Sequence, residues 1–309
     1  MFLNRYSKFS LGLILISVIV ISSCKKDSLI LENNDPPYYA EIPTVLVEFY
    51  VNRLFIDLIG REPFDEEMAN EVAFLRSYDL SMEGRDSLIL KLQTDTNYIP
   101  GDSSYKMAYY HRMYEILKVR LIEGASNAEI AFYKNINYQD YVVDSIAGEM
   151  LKAYKNLLSY HNLNDVINSE IQYYNGEISI RDVHRRMIYN AVYDQINMNV
   201  FNYINAVFDN LLLRYPTAFE FDESYKMISD NTPQILLGKS GQSKYDFADI
   251  ICDSRGFYEG VIQWAYLTLL ARAPTSEETD RMMNTFYYDY DFQYIQRQIM
   301  ISDEYAHFK

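Results

Sequence analysis

Beyond Thr44 the chain places apolar residues three and four positions apart with few interruptions. Tyr110, Met113, Tyr114, Leu117 and Leu121 keep that spacing, as do Val192, Ile196, Val200, Ile204, Phe208 and Leu211. This is the period of a helix that buries one face. Period-two alternation rich in β-branched residues is scarce, and only 11 Gly and 8 Pro interrupt the 309 residues. The pattern predicts an all-α fold, an irregular helical array. It divides into an N-terminal helical region over 44–125, a middle one over 126–205 and a C-terminal one over 206–309.

Three phrases recur within that pattern. Leu58-Ile59-Gly60-Arg61-Glu62-Pro63 returns as Leu212-Leu213-Arg214-Tyr215-Pro216 and as Leu269-Leu270-Ala271-Arg272-Ala273-Pro274. An acid follows each proline, at Glu67, Glu220 and Glu278. The spacing predicts three helix–turn–helix units, one in the N-terminal region and two in the C-terminal region. In each, a helix ends at the basic residue, whose charge suits a helix C-terminus. The proline then forces the residue before it out of the helical region. Thr217…Glu220 and Thr275…Glu278 are capping boxes for the next helix, and Asp65 is the expected cap where Phe64 replaces the threonine. The units are expected to close on Thr94-Asp95-Thr96-Asn97-Tyr98, Asp253-Ser254-Arg255-Gly256-Phe257-Tyr258 and Ser302-Asp303-Glu304-Tyr305. The three arginines could bind carboxylate or sugar groups. Pairing with the downstream Glu and the turn carbonyls is the simpler expectation, because the repeat accounts for it.

The start of the chain carries a different signal. Arg5 and Lys8 precede the apolar run Leu11–Ile21, and Ile21-Ser22-Ser23-Cys24 closes it as a bacterial lipobox does. The run is shorter than the roughly 20 apolar residues a spanning helix needs, so residues 1–23 read as a lipoprotein signal peptide. The mature chain is expected to begin at an acylated, palmitate-bearing Cys24 anchored in the outer membrane. Residues 24–43, with Asn33-Asn34-Asp35-Pro36-Pro37, read as a flexible tether.

The stretch Val51-Asn52-Arg53-Leu54-Phe55-Ile56-Asp57-Leu58-Ile59-Gly60-Arg61-Glu62-Pro63, with Asp65-Glu66-Glu67 after it, resembles a signature of exported bacterial proteins. That signature, roughly R-L-x-x-D-L-x-G-x-P-P-T-x-x-E, belongs to a domain of unknown function that often accompanies c-type cytochrome modules. Residues from Tyr266 to Phe308 are similar to the end of its companion domain. Glu62 stands where that group has a first proline, and no C-x-x-C-H is present to hold a covalent haem. The resemblance implies a helical exported domain and brings no activity, cofactor or site residues with it.

Charge and chemistry narrow the reading further. Without residues 1–23, 26 basic residues face 43 acidic ones, a net charge of −17. That balance excludes a nucleic-acid partner, which needs a basic face, and argues against adhesion to anionic lipid. With Cys24 acylated, Cys252 has no partner for a disulfide and reads as a small core residue. His111, His161, His184 and His307 show no metal-ligand spacing. Leu237-Gly238-Lys239-Ser240 lacks the upstream glycine of a phosphate loop, and Gly241-Gln242-Ser243-Lys244 lacks the last glycine of a nucleophile elbow.

No catalytic residue, metal or cofactor is therefore expected. The 30 tyrosines stand out instead, with doublets at Tyr109-Tyr110, Tyr173-Tyr174 and Tyr287-Tyr288. Tyrosine has an apolar face and a polar tip, which suits partly wet surfaces. These six are the candidate contacts to a partner. The expected function is a non-catalytic scaffold or binding component of an envelope complex. The alternative is an accessory glycan-binding lipoprotein of an uptake system.

Overall fold

The computed structural model describes residues 39–308. The signal peptide, Cys24 and the tether through residue 38 lie outside the described residues. After a 3₁₀ turn at Tyr39–Glu41 come α1 (Thr44–Leu58), α2 (Asp65–Ser77), α3 (Met82–Thr94) and α4 (Tyr105–Ile122). They are followed by α5 (Asn127–Ile146), α6 (Met150–Tyr174), α7 (Ile180–Ile188), α8 (Ala191–Asn197), α9 (Val200–Leu212) and α10 (Ala218–Ser229). A hairpin of β1 (Gln234–Leu236) and β2 (Lys239–Gly241) then leads into α11 (Lys244–Cys252) and α12 (Arg255–Leu270). The chain closes with α13 (Ser276–Asp289), α14 (Phe292–Met300) and α15 (Asp303–Ala306). The all-α expectation holds. Among the described residues, no helix is long and apolar enough to cross a membrane.

Local chemistry sets most helix starts. Twelve of the fifteen described helices begin on a Ser, Thr, Asn or Asp whose side chain accepts a backbone N–H of the first turn, relieving donors that have no intrahelical partner. One such cap divides the run of apolar residues from Val192 to Leu211. Met198 turns to φ 60° and Asn199 caps α9 by accepting from Asn202 N, so the run is two helices rather than one. The polar stretch at Leu237-Gly238 is a tight hairpin turn with φ 50° and 80°, the conformation two-residue hairpins favour.

The three repeat turns are one device. The arginine lies beyond the helix end rather than in its last turn: the helices stop at Leu58, Leu212 and Leu270. The residue just before it takes a left-handed conformation, Gly60 at φ 85°, Leu213 at 52° and Ala271 at 54°. That reversal swings the guanidinium back over the turn, where it grips the acid of the next helix with two parallel bonds. Arg61 Nη1 and Nη2 donate to Glu67 at 2.7 and 2.8 Å. Arg214 donates to Glu220 at 2.8 and 2.6 Å, and Arg272 to Glu278 at 2.9 and 2.8 Å.

In each turn Nη1 also donates to the carbonyl of the next residue, Glu62, Tyr215 or Ala273. The same acid accepts the N-cap amide, from Phe64, Thr217 or Thr275. Asp65 does not cap α2. Phe64 holds the N-cap position and has no side-chain acceptor, so only the glutamate half of the box forms there. The Arg272 bond holds the Glu278 carboxyl at about 2, and the Arg214 bond does the same for Glu220. At Glu67 burial pushes the other way. Arg61, the Phe64 amide and the Tyr105 hydroxyl overcome it, and the net shift is downward.

Ser254 and Ser302 cap α12 and α15, as their closing phrases suggest. Thr94–Tyr98 does not match them. It ends α3, and the comparable cap is Ser104, at the start of α4.

Two buried helices organise the packing. α4 lies against α1, α3, α6, α7 and α8, while α12 lies against α9, α11, α13, α14 and α15. Gly260 allows the second contact, since a Cβ there would sit 2.1 Å from Leu211 O. The N- and C-terminal regions share one core. Tyr50 donates to Met300 O at 3.1 Å, Tyr305 to Asp57 at 2.7 Å and Tyr109 to Gln296 at 2.6 Å. Arg85 on α3 has no exposed surface. It pairs with Asp303 at 3.0 Å and donates to Tyr39 Oη at 3.2 Å, and Tyr39 itself donates to Asp303. The end of the expected tether is thus docked on the body, because burying the Tyr39 ring beside a buried ion pair offsets the entropy of ordering it.

Two predictions follow from these contacts. Ala271 is exposed yet left-handed, so Ala271→Gly should raise the unfolding free energy by about 1 kcal/mol in urea titrations. A loss of stability would show that the turn does not impose the strain. The second concerns His184, which is wholly buried, with Nδ1 2.8 Å from Ile180 O and Nε2 without a partner. Burial, reinforced by the Arg120 charge, lowers its pKa from 6.5 to about 3. Below its ordinary pKa the unfolded chain binds a proton that the folded chain refuses, so stability falls as the pH drops. As the pH falls from about 6.5 to 5, above most carboxylate titration, the slope contributed grows from ~0.7 toward ~1.4 kcal/mol per pH unit. His184→Leu should remove it; an unchanged slope would contradict the assignment.

Candidate functional site

The candidate chemistries close on themselves. Among the described residues no group of His, Cys, Asp and Glu could hold a metal ion. Cys252 is fully buried, and burial pushes its thiol well up, away from the reactive thiolate. Ser243 caps α11. Arg61, Arg214 and Arg272 lie in three separate turns, each bound by its own glutamate. Clefts of about 350 Å³ lie beside α12 and between α2 and α3. Their lysines are engaged too, with Lys239 on Asp253 in the first and Lys91 on Glu71 in the second.

The tyrosine doublets do not form one platform. Adjacent helical residues point about 100° apart, so a doublet sends its rings in different directions. Tyr109 is fully buried and Tyr110 nearly so. Tyr110 gathers Tyr109, Tyr173 and Tyr174 around itself, with ring centroids 5.2, 4.7 and 5.7 Å away and planes at 80–85°. This edge-to-face cluster joins α4 to α6 and is part of the packing. Tyr287 and Tyr288 lie elsewhere, on α13, where Tyr258 meets the ring of Tyr287 edge-on at 5.1 Å. Tyr288 alone of the six is largely exposed.

The unusual surface belongs to the middle region. A capping box at Ser126 and Glu129 starts α5. Gly148, at φ 77°, then turns the chain back into α6 within three residues. The two helices pack on each other along their length, and the seam between them mixes aromatic rings, with Tyr138 and Tyr160 5.3 Å apart, and polar side chains. Lys134 reaches Asn164 at 3.4 Å and Asn156 donates to Asp144 at 2.9 Å. Ile130 is the one fully buried residue of α5. On α6 Leu163, Val166 and Ser169 pack deeply in the half nearer the body, and Ala153 is buried near the tip. The other half continues outward as a two-helix arm.

The arm wears its apolar side chains outside. On α5, Phe132, Ile136, Val143 and Ile146 are exposed, from 36 % at Ile136 to 83 % at Ile146. Around the tip and on α6, Met150, Leu151, Tyr154 and Leu158 are exposed as well. An ordinary surface helix turns its apolar stripe to its neighbour and its polar face to water. Here many large apolar side chains face water instead, a surface of the kind that marks an interaction site. The signal was readable in the sequence as apolar residues at 132, 136, 143 and 146 beside polar ones at 134, 137 and 144.

If these side chains serve a partner rather than the fold, replacing them leaves stability alone. Ile146→Asp and Leu151→Asp should each shift the unfolding free energy by less than about 0.5 kcal/mol. A loss of several kcal/mol in urea titration would mean that the tip is structural. No protein-family model, curated protein or solved structure matches the chain, so its function is read from its own residues.

Proposed function

We propose that the protein is a membrane-anchored, non-catalytic lipoprotein of the cell envelope that scaffolds an envelope complex through the α5–α6 arm. The arm carries this reading, because its apolar exterior needs cover that its own seam does not supply. The lipobox at Ile21-Ser22-Ser23-Cys24 supports anchoring in the outer membrane, and the likeness of the first repeat turn to exported helical domains agrees with that location. The edge-to-face tyrosines favour a protein partner over a glycan, which stacks on open, coplanar rings.

The test is recovery of a partner from detergent-solubilised envelopes with Cys24 intact. The native chain should bring down a stoichiometric protein other than itself. A Met150→Asp, Leu151→Asp variant should recover roughly tenfold less of it, as loss of a central apolar anchor does at other interfaces. Equal recovery by the variant, or no stoichiometric partner in repeated preparations, rules the reading out.

A further inference from the structure

We infer that the cleft beside α12 is a binding site for a small organic carboxylate, held on the open edge of Arg214. The site belongs to the second repeat turn rather than to the α5–α6 arm, and it stands whatever the arm docks. The three turns supply the comparison. Each guanidinium presents one edge, Nη1 with Nη2, to its own glutamate. The edge at Nε is taken by a further acid in two of the three. Arg61 Nε donates to Asp102 at 2.7 Å. Arg272 donates to Glu304 from Nε at 2.7 Å and from Nη2 at 2.8 Å. Arg214 Nε has no acceptor among the described residues. Its side chain is also the most exposed of the three, 42 % against 23 % at Arg61 and 34 % at Arg272.

One residue accounts for the difference from the third turn. Ser302 caps α15 by accepting Tyr305 N, and Ser254 caps α12 by accepting Phe257 N. Two places after each cap stand Glu304 and Gly256. In the second unit glycine therefore holds the place from which the third unit supplies its carboxylate. What remains is a cleft of about 350 Å³ lined by both Arg214 and Gly256. An external carboxylate on Nε and Nη2 completes at Arg214 the bond pattern that Glu304 completes at Arg272. Two parallel charge-assisted bonds to a planar guanidinium favour an anion of that shape.

The rest of the lining suits such a ligand. Lys239 and Arg255 add two cations, against Asp253 as the one acid. Asp253 already accepts from Arg181 at 2.8 Å and from Lys239 at 2.9 Å. Arg255 pairs with Glu259 at 2.8 Å, but both side chains are exposed. A surface pair of that kind contributes little, so Arg255 is able to turn toward a bound anion. Leu212 and Ile250 supply an apolar wall. The volume lies near the low end of small-molecule pockets, roughly 300–1,000 Å³, which favours a compact acid over a long one. A positively lined cleft on a chain of net charge −15 is where a small anion collects.

The experiment titrates the full chain, carrying isotope-labelled arginine, with succinate at low ionic strength and follows the Nε–H signals by NMR. The Arg214 signal, assigned by its loss in Arg214→Lys, should shift and saturate, while those of Arg61 and Arg272 stay in place. Gly256→Glu offers a carboxylate to the same edge from within the chain. It should move the Arg214 signal before any succinate is added and weaken succinate binding at least roughly tenfold. A Cβ at Gly256 lies 3.3 Å from Leu212 Cδ2, so the urea midpoint is read alongside. Arg255→Ala, which leaves the Arg214–Glu220 clamp intact, is the second variant and should weaken binding roughly threefold. No saturable shift at Arg214, or equal shifts at all three arginines, overturns the site. So does a succinate affinity unchanged in both folded variants. Equal affinity for sulfate overturns the assignment to a carboxylate.

Discussion

A glutamate that caps one helix while gripping an arginine from the end of the previous one is the joint on which this body turns. It occurs three times, at Glu67, Glu220 and Glu278, with bond lengths that agree within a few tenths of an ångström. A surface ion pair contributes little to stability by itself. These pairs act differently, because each carboxylate also takes a backbone amide and each guanidinium a carbonyl, so the pair fixes the path of the turn. The angle between consecutive helices follows, and with it which faces meet. Leu213 and Ala271 hold left-handed conformations that cost roughly 1–2 kcal/mol each, and the clamp is what keeps them there.

Much of this was legible beforehand. The all-α class came from apolar spacing, and the turns came from proline, threonine and glutamate at fixed offsets. What misled was the last residue or two of each element. A basic residue near a helix end reads as part of the last turn, yet Arg61, Arg214 and Arg272 act from outside it, since the left-handed residue before each one is invisible to composition. Asp65 reads as a cap because of its type, but Glu67 was already serving the amide of Phe64. Between Val192 and Leu211, apolar periodicity outweighed Asn199, a residue that favours helix starts over helix interiors.

The tyrosines and the arm illustrate opposite errors. Tyr109 and Tyr110 look like a surface pair and are packed, because tyrosine's apolar body fills a core margin while its hydroxyl finds Gln296 or Gln293. Phe132, Val143 and Ile146 look like core residues and are exposed. Periodicity reports that a helix has an apolar face, and only the neighbours show whether that face is covered. The polar residues Lys134, Asn137, Asp144, Asn156 and Asn164 between the two helices were the better clue, since they leave Phe132, Val143 and Ile146 facing away from the partner helix.

The buried Arg85 and its partners have one more implication, for the order in which the molecule can be completed. Asp303 and Phe308 approach this arginine from the far end of the chain, and Tyr50 and Asp57 bond to Met300 and Tyr305. A ribosome supplies those residues last. Until they emerge, α1 and α3 have only part of their core, and the Arg85 guanidinium is without its carboxylate. Closing contacts between segments some 250 residues apart is also slow, because the intervening loop must be ordered first. This part of the core is therefore completed only when the segment from Met300 to Phe308 docks on α1 and α3.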